Sequence, residues 1–96
     1  MSLFARQVLD VVDAIPAGSV MAYGDIAEFL GGPGPRMVAR VMATYGDEVA
    51  WWRVLRADGT SAPEVAQRQL PLLRDDGVPF KSAERINMAA ARHQPS

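Results

Sequence analysis

The segment that decides the fold runs from Gly24 to Tyr45, GDIAEFLGGPGPRMVARVMATY. Its first part places Ile26, Phe29 and Leu30 on one face, and Gly31-Gly32 supplies residues able to take the left-handed conformation that ends many helices. The turn GGPGP follows. Pro35 suits the first position of a second helix, because its missing N–H would have had no intrahelical partner there. Val38, Val41, Met42 and Tyr45 then recur at i, i+3, i+4 and i+7 as one apolar stripe, with Arg36, Arg40 and Ala43 on the opposite side. Two short helices joined by a glycine turn, the second carrying arginines outward, make the outline of a helix-turn-helix. The same outline fits two packed helices with a solvated arginine face.

Working outward, Phe4, Val8, Val11 and Ile15 lie at helical spacing behind Ser2, a candidate N-cap, and Pro16 and Gly18 stop that helix. SVMAY bridges to the central pair as a short extended piece. Downstream, Val49 to Leu55 is rich in β-branched and aromatic residues and reads as a strand closed by the turn Asp58-Gly59, with Thr60 and Ser61 starting its partner. Pro63 opens a further helix containing Val65, Leu72 and Leu73. Pro71 is expected to kink or restart it, since an interior proline costs about 3 kcal/mol. Gly77 caps its end, VPF and RINM form a small return strand, and ARHQPS reads as a loose tail over about residues 90–96. The expected class is α+β, mostly helical: one winged-helix-like domain over residues 1–96, with a helix-turn-helix and a small β-hairpin.

Composition narrows the chemistry. The chain has 96 residues, 49% of them apolar and 22% charged, with a formal charge of −1 and no cysteine. That is an ordinary globular composition and not a strongly basic nucleic-acid coat. The charge is uneven: before Arg36 the only basic side chain is Arg6, whereas Arg36, Arg40, Arg53 and Arg56 follow within one stretch. An anionic partner would meet the middle of the chain. Without cysteine there is no thiolate nucleophile, and a lone His93 gives no basis for a metal centre. No apolar run approaches a membrane span, and MSLFARQ lacks the pattern of a secretory leader, so a soluble cytoplasmic protein is expected. No catalytic pair, phosphate-cradling loop or cofactor motif stands out. What remains is aromatic surface beside arginine, a combination that stacks bases and pairs phosphates.

The run AWWRVLRADG, Ala50 to Gly59, holds both tryptophans of the chain. On an extended segment two neighbours point to opposite faces, so one of them serves something other than a single core. Together with IPAGSVMAYGDIAEFLGGPGPRMVARVM it resembles the DNA-binding domain of the O6-alkylguanine-DNA alkyltransferases, which read approximately IPxGxVxTYGxIAxxxGxPxxARxVGxxM and then PCHRVxxxxG. Pro16, Gly18, Val20, Tyr23, Gly24, Ile26, Ala27, Gly31, Pro33, Arg36, Val38, Met42, Arg53 and Val54 fall in register, with one residue fewer before Arg36. Where those enzymes carry the alkyl-accepting cysteine this chain has Trp51, as in the alkyltransferase-like proteins, which read PWHRV. Ala50 replaces the usual proline, Trp52 the usual histidine, and the segment after Gly59 is shorter and less basic.

The resemblance implies a non-enzymatic sensor that binds O6-alkylguanine in duplex DNA and flags it for nucleotide excision repair. It implies a third helix laid in the minor groove, which is only about 6 Å wide and admits small side chains such as Ala39 and Ala43 beside Arg36 and Arg40. Arg36 would fill the stack as the base is flipped, and Tyr23 would assist rotation of the 3′ phosphate. The expected lesion pocket is Tyr23, Met42, Trp51, Arg53 and Val54, with no metal or cofactor and with the protein acting as a monomer. A general winged-helix DNA binder without lesion specificity is the alternative, and an enzyme would need a non-cysteine acceptor or a hydrolytic role.

Overall fold

The computed structural model describes residues 1–96. Helix α1, Leu3–Asp13, begins where the Ser2 hydroxyl oxygen accepts from the Ala5 amide at 3.0 Å, the N-cap bond expected from sequence. It buries Ala5, Val8, Leu9, Val11 and Val12. The chain then extends through β1, Met21–Ala22, straight into α2, Tyr23–Leu30. Asp25 caps that entry, its Oδ2 accepting from the Ala22 amide at 2.9 Å. Gly31 ends α2 at φ 67°, and α3 runs from Pro35 to Tyr45. The two-helix outline therefore stands where the glycine, proline and apolar spacing placed it.

After α3 the chain differs from expectation. Only Val54–Leu55 forms a strand, β2, and it pairs in parallel with β1, Met21 opposite Val54 and Ala22 opposite Leu55. Val49 and Ala50 instead make a tight turn in which the Trp51 amide donates to the Val49 carbonyl at 2.7 Å. Trp51–Arg53 then form one 3₁₀ turn. Composition favoured a strand over Val49–Leu55, but successive residues on a 3₁₀ turn splay about 120° apart, which lets each indole find a different environment. Thr60 does not pair with β2 either; it bridges Arg85.

Helix α4, Ala66–Asp75, continues across Pro71 without a break. The expected restart is absent because Pro71 lies on the exposed side while Gln69, Leu70 and Leu73 hold the inner side. The unpaired Gln67 carbonyl belongs to an exposed residue, so water can serve it. Strands β3, Phe80–Ser82, and β4, Arg85–Ile86, form the antiparallel hairpin, followed by α5, Met88–Ala91. Residues 91–93, within the stretch read as a tail, are tied to Val20, whose amide donates to the Ala91 carbonyl at 2.9 Å while its carbonyl accepts from the His93 amide at 2.8 Å.

Burial sorts these elements into an α+β fold with two cores. Ile15, Ile26, Val38 and Val54 pack with the inner face of α1 in the larger one. Val20, Leu55, Leu73, Val78, Ile86 and Ala91 form the smaller, beneath α4 and the hairpin. No helix is long and apolar enough to cross a membrane.

Candidate nucleic-acid interface

Helix α3 turns Val38 and Val41 inward, which leaves Arg36, Arg40 and Ala43 exposed and Ala39 half-buried on the outer side. With alanines a turn apart, the strip between the arginines is shallow. Beside it opens a cavity of ≈ 890 Å³, and Tyr23, Arg36, Ala39, Met42, Ala43 and Trp51 line it together. These come from the entry of α2, the length of α3 and the 3₁₀ turn, which are separate in sequence and converge here. Gly46 lies at the convergence: a Cβ at that position would meet the Met42 methyl and the Trp51 Cβ, each at 3.4 Å.

Two of the residues expected in the lesion pocket, Arg53 and Val54, lie elsewhere, while Arg40 keeps the outer side of α3 expected of it. Arg40 is exposed on α3 outside the cavity. Val54 is 1% exposed within the core, because as the first residue of β2 it pairs with Met21. Arg53 is a strut. Its Nε and Nη2 donate to the Asp76 carboxylate at 2.8 and 3.2 Å, and its Nη1 donates to the Ile15 carbonyl at 2.9 Å. Trp52 Nε1 donates to the same Asp76 carboxylate at 2.9 Å, and the Arg53 guanidinium lies over the Trp52 ring, 5.4 Å from its centroid. The Arg53 hydrogen bonds hold the Asp76 carboxyl below its ordinary value, with Trp52 adding to the effect and burial opposing it.

The two indoles meet edge to face, centroids 6.2 Å apart at 87°. Trp52 therefore serves the scaffold and Trp51 the cavity. Tyr23 is held above its ordinary pKa chiefly by burial; Arg56 pulls it down and Glu64 pushes it up. Its hydroxyl thus stays protonated at neutral pH and available as a donor.

The far wall went unread in the sequence. Arg56, Glu64, Arg68 and Gln69 all line the cavity. The Arg68 guanidinium sits 5.1 Å from the Trp51 ring centroid. Gln69, 2% exposed, is the one buried polar residue, and its Nε2 donates to the Trp52 carbonyl at 3.0 Å and the Val54 carbonyl at 2.8 Å. The signal that could have found it is its place four residues before Leu73, on the inward stripe of α4 where an apolar residue belongs. Arg68 carried no such signal, since arginine on a helix is usually solvated, and Arg56 was read only as part of the basic middle stretch.

A family model described as the DNA-binding domain of 6-O-methylguanine DNA methyltransferase matches residues 3–78. The chain is 34% identical over 95 residues to the DNA base-flipping protein of Escherichia coli, covering 93% of this chain and 73% of that protein. It is 39% identical over 87 residues to Alkyltransferase-like protein 1 of Schizosaccharomyces pombe, covering 81% and 79%. The structure of S. pombe Atl1 in complex with damaged DNA containing O6-carboxymethylguanine superposes with a TM-score of 0.85 at 30% identity, over 99% of this chain and 98% of that one. The S. pombe ATL complex with DNA gives 0.83 at 31%, over the same shares. On this match of sequence and fold, the chain belongs to the family built on the 6-O-methylguanine DNA methyltransferase DNA-binding domain, as an alkyltransferase-like member of it.

Proposed function

We propose that this protein recognises alkylated guanine in duplex DNA by receiving the flipped base in the cavity beside α3, and that it binds the lesion without transferring its alkyl group. The observation that carries the reading is the cavity itself: Tyr23, Met42 and Trp51 line its interior and Arg36, Ala39 and Ala43 its α3 side, in a chain with no cysteine. In this reading α3 lies in the minor groove and Arg36, exposed at its first turn, enters the stack vacated by the base. Arg40 meets the backbone from outside the cavity. Tyr23, a neutral donor, guides the rotation. Trp51 stands at the alkyl-acceptor position of the methyltransferases; indole is a poor nucleophile near neutral pH, so recognition survives there and transfer does not. The names of the relatives support flipping and damaged-DNA binding. Action as a monomer and hand-off to nucleotide excision repair belong to the same proposal and rest on the family resemblance.

The test is a titration of two duplexes differing only in one O6-methylguanine, read by tryptophan fluorescence at low salt. Tighter binding and stronger quenching with the modified duplex are expected. Equal, salt-sensitive binding to both would leave only phosphate contacts and a general DNA-binding role. Mass spectrometry of protein and DNA after incubation is expected to show the alkyl group still on the base.

A further inference from the structure

Beyond the rim of the cavity lies positive charge that the fold does not consume. Arg56 lines the cavity and opens a turn, its amide donating to the Thr60 carbonyl at 3.1 Å. Thr60 bridges Arg85, and the Ile86 amide donates to the Gly59 carbonyl at 2.8 Å, so the β3–β4 hairpin is fastened to that turn. Phe80 and Ile86 face the smaller core, which leaves Lys81 and Arg85 on the hairpin's outer face, both exposed. Arg74 is occupied in propping the hairpin: its guanidinium lies 4.7 Å from the Phe80 ring centroid and donates to the Ala83 carbonyl. The ion pairs of the chain, Arg53 with Asp76 and Arg92 with Asp25, take neither Lys81 nor Arg85. Asp58 shares the turn, but its Oδ1 is engaged by the Thr60 amide at 3.0 Å and the Thr60 hydroxyl at 2.7 Å. Those hydrogen bonds hold its carboxyl below the ordinary value, and Arg85 and Arg56 lower it further, which places both guanidiniums near this one turn.

We propose that the β3–β4 hairpin is a second DNA-contacting element, in which Arg85 and Lys81 hold backbone phosphates outside the cavity and away from α3. The proposal rests on the reading that the cavity side faces DNA. A flipped base stays joined to its own strand, so sugar and phosphate must run past the mouth that receives it. Helix α3 occupies one side of that mouth and Arg56 the other. From Arg56 the free cations continue through Arg85 to Lys81, with Glu84 the one acid of the hairpin. By contrast, α1 and α2 carry Asp10, Asp13, Asp25 and Glu28 against Arg6 alone, so the backbone is drawn across the hairpin and not behind the molecule. The longest extent of the chain is 36 Å, about one turn of duplex, so these contacts fall within a helical turn of the lesion. Contacts of this kind position the protein and carry no sequence or lesion preference of their own.

The test measures the affinity of the full chain and of Arg85→Gln and Lys81→Gln for duplexes with and without one O6-methylguanine, over a range of salt. Each variant is expected to bind both duplexes about eightfold more weakly at about 0.1 M salt, the worth of one lost phosphate contact, and to flatten the salt slope by about 1. The ratio between the two duplexes is expected to stay as it is in the wild type, and so is the melting temperature, since both positions are exposed. A second series replaces one phosphate at a time by a neutral methylphosphonate. At one position the wild type is expected to lose affinity while Arg85→Gln does not, the mark of a direct contact. Wild-type affinity and slope in both variants overturn the proposal. So does a loss that no single phosphate accounts for, which would be a field acting at a distance. If the wild type prefers the modified duplex while both variants match it, the hairpin contact falls and base recognition stands. If the variants lose a phosphate contact while the wild type binds both duplexes alike, the hairpin contact stands and base recognition falls.

Discussion

Gly31 and Gly59 both hold positive φ, at 67° and 87°, but a side chain would meet different surroundings at each. Nothing lies within 4 Å of a Cβ built on Gly31, whereas a Cβ on Gly59 would be driven into the Ile86 carbonyl oxygen. That carbonyl cannot retreat, because the Ile86 amide donates to the Gly59 carbonyl at 2.8 Å and fixes the approach of the turn to β4. Gly31→Ala is therefore expected to cost only the left-handed backbone penalty of about 1 kcal/mol. Gly59→Ala should add a backbone clash and cost about 3 kcal/mol or more. Urea denaturation of the two variants checks the contrast, and similar midpoints would contradict it. The sequence marked both glycines as punctuation, but only the structure shows that one of them ends a helix in open solvent and the other seats a turn against a strand.

At the scale of elements, the helices were legible with their bounds, and the short pieces SVMAY, VPF and RINM fell where β1, β3 and β4 form, but Val49 to Leu55 was not. Helical spacing in α1, α2 and α3 repeats over two or three turns, so the apolar stripe and the caps confirm one another. Val49 to Leu55 offered only composition, and β-branched and aromatic residues fit a strand, a turn or a pocket wall equally well. Of the kink or restart expected at Pro71, the restart is absent, since α4 runs on to Asp75. The element whose part in the site the sequence did not show is α4: through Gln69 it holds the carbonyls on either side of Arg53, and through Arg68 it covers Trp51. Gln69→Leu would leave the Trp52 and Val54 carbonyls without this donor. A loss of about 2 kcal/mol is expected, the cost of unpaired buried acceptors, together with a weakened near-ultraviolet dichroism from the tryptophans. An unchanged tryptophan signal would show that the turn is held by other means.

Across the whole molecule, the two cores meet along β1 and β2, and Asp76 adds a side-chain tie between them. Through Arg53 it reaches the Ile15 carbonyl at the end of the larger core, and it follows α4 between Leu73 and Val78 of the smaller one. Its carboxyl is held below the ordinary value of 3.8 in the folded protein. A depressed carboxyl contributes stability above the unfolded value and loses it as pH falls through the folded one. The melting temperature of the wild-type protein is thus expected to fall as pH is lowered below about 4. Asp76→Asn should lower stability at neutral pH by about 2 kcal/mol, as expected for breaking a largely buried pair, and make the acid-side slope shallower. Parallel pH profiles for the two proteins would refute this assignment. Much of the site could be read ahead from the register of Tyr23, Arg36, Ala39, Met42, Ala43 and Trp51. Part of its far wall could not, because Arg68 and Gln69 reach the cavity only once α4 has folded back onto the 3₁₀ turn. The same long-range closure governs how the protein is made. Val20 opens the segment that leads into Tyr23, and both of its backbone hydrogen bonds go to Ala91 and His93. A ribosome must therefore translate His93 before this edge can be satisfied, and a nascent chain stalled earlier exposes an unpaired edge for chaperones to cover.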